Sequence, residues 1–153
     1  MEISKPQKSE EMNEPGPLFG GTVLKRPNEC IEVFDRIIDG IRCRAIYHHV
    51  MGHFCGYIEI PKDTVHYSMN SYGDCELRMH GDASYLSLNG FPPGEEEKGI
   101  HVIGFDCMRS GDAPYPSSEI IKYIGHLCEG GLFRDLDYVW NECEKVVRQI
   151  KKA

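Results

Sequence analysis

From Cys30 to Pro61 the chain reads CIEVFDRIIDGIRCRAIYHHVMGHFCGYIEIP, with β-branched and aromatic residues in two runs that meet at Asp39-Gly40. Asp-Gly is favoured chemistry for a two-residue hairpin turn, because both positions need positive φ. A second turn at Met51-Gly52 sends a third strand through Phe54, Tyr57 and Ile60, which makes an antiparallel meander. Further on, CELRMHG and SYLSLNG predict two short strands divided by Gly81-Asp82. Ile100 to Cys107 is apolar at successive positions, as in a strand in the middle of a sheet with something covering each face. The period then changes: Leu136, Val139, Trp140, Cys143, Val146, Val147 and Ile150 recur at spacings of three and four and predict one stripe of a helix over 134–151. Asp135 and Asp137 in its first turn and Lys145, Arg148, Lys151 and Lys152 toward its end complement the helix dipole. The expected fold is α+β: an antiparallel sheet, built as a meander, packed against a C-terminal amphipathic helix.

Ahead of this pattern the chain is polar and carries Pro6, Pro15 and Pro17, with little to bury against the entropy of ordering. Residues 1–26 are therefore expected to be a flexible leader and 27–153 a single domain. A length of 153 residues with 41% hydrophobic positions suits one core and is short for two. The net charge of −7 argues against a surface that tracks extended nucleic acid, which needs clustered Lys and Arg, although a small anion needs only a few local cations. No window is long and apolar enough for a membrane span, and the N-terminus lacks the apolar core of an export signal, so no membrane partner and a cytoplasmic location are expected. Seven cysteines with no CxxC pair fit reduced thiols better than a disulfide framework. Glu95-Glu96-Glu97 reads as a solvated loop tip.

Chemistry-bearing side chains concentrate in three places: His48, His49, His53 and Cys55 around the second turn; His80 and Asp82 after a strand; and Asp106, Cys107, Arg109 and Asp112 after the interior strand. A zinc site would draw ligands from His53, Cys55 and His80, with one position left open; zinc is thus the one cofactor the residues suggest. Cys107 beside His53 or His80 would be a thiol nucleophile, against its reading as a small buried residue. A binding site asks for no reaction. Backbone N–H groups of Gly81, Gly104 and Gly111, the cations Arg78, Arg109 and Arg134, and the faces of Tyr57, Tyr67, Tyr72 and Tyr85 could hold a nucleobase and a phosphate. Asp106 and Asp112 also suit a capping role, each accepting backbone N–H groups of the MRSG loop. The expected ligand-binding set is His53, Tyr57, His80, Asp106, Arg109, Asp112 and Arg134. His53, His80, Asp106 and Asp112 are expected to line one concavity, with His80→Ala sparing stability.

Four segments resemble a family of small proteins carried by phages and prophages: GHFCGYIEIP at 52–61, MHG at 79–81, GFDCMRSGD at 104–112 and FRDLDYVWNECEKVVRQI at 133–150. The matching positions include Gly52, His53, Cys55, Gly56, Tyr57, His80, Gly81, Gly104, Phe105, Asp106, Cys107, Gly111, Asp112, Arg134, Asp135, Leu136 and Tyr138. Asp82 and a longer loop at 114–131 depart from the pattern. The resemblance implies a phage accessory protein, for anti-defence or host takeover, that sequesters a small anionic, nucleotide-derived ligand. The alternatives are a metal- or Cys/His-dependent hydrolase acting on a phosphoester, and an acidic interaction protein that inhibits a host protein. Whether the chain forms a homo-oligomer stays open.

Overall fold

In the computed structural model, residues 30–152 are described, apart from 93, 117 and 119, so the leader expected over 1–26 lies outside the described residues. Strands β1 (Cys30–Ile38), β2 (Ile41–His48), β3 (His53–Ile60), β4 (Tyr85–Ser87) and β5 (His101–Asp106) form one sheet in the order β1-β2-β3-β5-β4. Every neighbouring pair is antiparallel. The fold is α+β, with the meander β1-β2-β3 at its heart. At the β1–β2 turn Asp39 and Gly40 take φ of 51° and 86°, the left-handed pair that matches the twist of a two-residue hairpin.

Helix α1 (Ile121–Ile124) is a single turn, and helix α2 (Leu136–Lys152) is the long one. Asp135 starts α2: its Oδ1 accepts the Tyr138 N–H at 2.9 Å, which satisfies one of the backbone donors a helix leaves open at its N-terminus. All seven stripe residues are buried, and α2 lies mainly across β3. The Trp140 ring meets Phe34 edge to face at 5.2 Å. Each aliphatic side chain so covered contributes about 1.5–3 kcal/mol relative to exposure, which is why the stripe rather than helix propensity holds α2 in place.

β5 is interior, between β3 and β4, and is covered on both sides. Ile103 and Phe105 join the α2-side core; Val102 joins a smaller cluster with Ile46, Cys55, Tyr57 and Phe91 on the other face. That second face is roofed by the loop after β4. Phe91 lies against the guanidinium groups of Arg42 and Arg44, at 4.4 and 5.5 Å. Asp35 takes Arg42 bidentately at 2.8 and 2.6 Å, and Glu95 pairs with Arg42 at 3.0 Å. Glu95 is therefore held by two arginines, Arg44 at 3.6 Å being the second, while Glu96 and Glu97 are exposed as expected of a solvated loop tip.

One expected strand is absent among the described residues. CELRMHG is not a strand: Leu77 and Met79 alternate inward as the pattern suggests, but the backbone of Arg78 pairs with the side-chain amide of Gln149 on α2 rather than with a sheet edge. Val33 and Phe34 are both buried although adjacent, because the β1–β2 register shifts at a bulge between Glu32 and Phe34.

Candidate functional site

The second turn and the end of β5 meet on the sheet face opposite α2. Antiparallel register sets His48 against His53 and Cys55 against Asp106, and alternation turns all four side chains to one side. They line a pocket of about 390 Å³ with Met51, Tyr57, Ser84, Tyr85, Phe105 and Met108. One glycine makes its wall possible: a Cβ on Gly104 would fall 2.5 Å from the Tyr57 ring, so the tyrosine crosses the paired strand where no side chain stands. On the opposite, α2-side face Gly56 leaves the same room for the Phe105 ring, also 2.5 Å from where its Cβ would fall.

The polar groups of the pocket differ in how they are held. Asp106 is fixed at both oxygens: Oδ1 accepts the Met108 N–H and Oδ2 the Ser84 hydroxyl, each at 3.0 Å, with Arg109 Nη1 at 3.7 Å. The His48 and His53 rings stack at 5.1 Å and 27°. His53 is 8% exposed, and its Nδ1 has no hydrogen-bond partner. Burial, then the neighbouring His48, pushes the His53 imidazole down to about 4, and burial also lowers His48. Both rings are thus neutral near pH 7, the form that ligates metals. Donor atoms of His48, His53 and Cys55 lie within 4.8 Å of one another.

His80, Asp112 and Arg134 do not line this pocket. They close a second network at the start of α2. Asp112, whose carboxylate is fully covered, receives His80 Nε2 at 2.7 Å, the Arg109 N–H at 2.8 Å and Arg134 Nε at 2.8 Å. His80 Nδ1 meets the Tyr138 hydroxyl at 2.6 Å. Because a carboxylate only accepts, Nε2 carries the proton toward Asp112, and in the neutral ring Nδ1 accepts from Tyr138. Burial raises the Asp112 carboxyl, but hydrogen bonds from Arg134 and His80 outweigh it and hold the group below the usual carboxylate range. Both ring nitrogens of His80 are used within the protein, so it serves as a clasp between the turn at 79–82, the MRSG loop and α2.

The single concavity expected for His53, His80, Asp106 and Asp112 is therefore two sites: His53 and Asp106 in the pocket, His80 and Asp112 in the clasp. In the metal set, His48 stands where His80 was expected. The signal was in the sequence, since residues that bracket a four-residue hairpin loop face each other, but it required the loop length to be known. Cys107 is 1% exposed in the α2-side core, where burial pushes its thiol up, the surroundings of the small buried residue that was the other reading of this position. Of the four tyrosines, only Tyr57 and Tyr85 share the pocket, 5.2 Å apart edge to face; Tyr67 stacks on His101 and Tyr72 is exposed.

The fold and site define an antiparallel α+β domain with a half-open aromatic and histidine-lined pocket on the face away from its helix. Comparison with family models, with curated proteins and with solved structures gives no match. No helix among the described residues is long and apolar enough to cross a membrane.

Proposed function

We propose that the protein is a small-ligand capture protein, and that the pocket between Tyr57, Tyr85 and Asp106 takes the base of a nucleotide-derived molecule. The observation that carries this reading is the convergence of two aromatic side chains and a fixed carboxylate in a cavity of about 390 Å³. Aromatic faces stack on any base, and a carboxylate accepts from a base N–H. The described lining has no Lys or Arg, so the base enters and the anionic end is left outside, toward Arg109 beside Asp106. Sequestration rather than turnover is favoured because the one thiol expected to act as a nucleophile is buried in the core. The resemblance to phage-borne proteins supplies the setting: an accessory that withholds a small signal from a host.

The test is a thermal-shift panel of nucleoside phosphates, cyclic nucleotides and ADP-ribose. A ligand at about 100 times its Kd stabilises by roughly 2.7 kcal/mol, a clear rise in Tm. Tyr85→Ala should abolish that rise without preventing folding. A flat response across the panel would overturn the reading.

A further inference from the structure

We propose that His48, His53 and Cys55 bind one divalent cation of the zinc class at the floor of this pocket, with a fourth coordination position facing the cavity. The proposal concerns the same pocket but stands whichever ligand the cavity takes.

Three observations converge on it. The first is proximity: the three donor atoms lie within 4.8 Å of one another. Ligands on a tetrahedral zinc, with bonds of about 2.0–2.3 Å, sit roughly 3.3–3.8 Å apart, so small side-chain rotations complete the set. The second is the orphan. A buried histidine nitrogen without a partner needs an explanation, and Nδ1 of His53 is such an atom on a residue 92% covered, in the wall of the pocket. A metal ion bound through that nitrogen would satisfy it. The third is the scaffold. The ligands come from one hairpin, His48 on β2 and His53 and Cys55 on β3, with His48 and His53 in direct register, so the donors are placed by strand pairing rather than by a loose loop.

The donor set selects the metal. Two imidazoles and a thiolate suit a borderline ion and exclude the oxygen-seeking calcium and magnesium. Asp106 is the register partner of Cys55 and brings a carboxylate to the same face, which offsets the positive charge left by two neutral ligands and one thiolate. Three protein ligands and an open position facing a cavity are the arrangement of sites where zinc engages a ligand or water, rather than of closed structural sites. Gathering the site required the β2–β3 register, which residue spacing alone does not display.

The full-length protein, freed of metal by chelation and dialysis, is titrated with zinc against a chromophoric competitor and separately with cobalt. One equivalent of zinc should bind, and cobalt should show a thiolate-to-metal charge-transfer band. His48→Ala and Cys55→Ser should each weaken zinc at least tenfold, because even outer-shell changes cost about 10–100-fold, and Cys55→Ser should erase the cobalt band. His49→Ala, an exposed neighbour on the turn, should leave both unchanged. Circular dichroism of each variant establishes that it is folded; His48 is only half-buried, so its truncation keeps the readout usable if Cys55→Ser unfolds. Absence of stoichiometric binding, a missing charge-transfer band, or equal weakening by His49→Ala would overturn the site. Zinc binding with a flat nucleotide panel would retire the capture reading and leave the metal site standing; nucleotide binding by chelated protein that takes up no zinc would do the reverse.

Discussion

Tyr57 and Gly104 face each other across the β3–β5 ladder, and the tyrosine ring occupies the place a Gly104 side chain would need. The pocket wall and the packing of the interior strand are thus one arrangement. Gly104 has no positive φ, so its role here is the room it leaves for Tyr57 rather than backbone freedom.

Gly104→Ala should therefore destabilise the fold by about 1–3 kcal/mol, the usual cost of forcing extra volume into a packed site, and should displace Tyr57 from the pocket. Denaturant midpoints report the first effect and tyrosine fluorescence or ligand shift the second. An alanine variant as stable as the parent, with the pocket intact, would show that the ring moves aside freely.

His80→Ala should cost about 1–3 kcal/mol, because it removes one of the three donors that hold the buried Asp112 carboxylate and takes away the acceptor of the Tyr138 hydroxyl. This reverses the expectation from sequence that the substitution spares stability. Combined with Tyr138→Phe, the losses should fall short of additive by about 0.5–3 kcal/mol, as for residues in one network. Strict additivity in a double-mutant cycle would mean that the two side chains do not share the clasp.

The clasp should also show in acid. Asp112 is held below the ordinary carboxylate range in the folded state, while the unfolded chain titrates near about 3.9. A depressed folded value means that its stabilisation is complete above the unfolded value and is lost as pH falls through the folded one. Asp112→Asn should lower stability at neutral pH and flatten its decline below about pH 4. Urea melts at pH 3 and pH 7 for both proteins measure this, and parallel declines would place the acid sensitivity elsewhere.

Much of the fold was legible because local rules act over a few residues. Asp39-Gly40 forms the tight turn its chemistry favours, the apolar and aromatic run through Phe54, Tyr57 and Ile60 forms a strand buried on both faces, and the stripe from Leu136 to Ile150 matched a helix that forms one residue or two away from its expected ends. The two-sided apolarity of Val102 to Phe105 likewise required an interior strand. CELRMHG misled because alternating burial records which way side chains point, not what the backbone pairs with; here it pairs with Gln149.

The sequence by itself determined the meander, the interior strand, the long helix and the neighbourhood of the reactive residues, since each depends on periodicity or turn chemistry. Only the tertiary structure decided how those residues divide. Strand register set His48 opposite His53 and Cys55 opposite Asp106, whereas alternation sent Cys107 to the other face. The packing of α2 drew His80 and Asp112 into a closed clasp through Tyr138 and Arg134. Register and helix docking join residues far apart in the chain, 58 positions for His80 and Tyr138 and 71 for Arg78 and Gln149, and no local pattern encodes such a meeting.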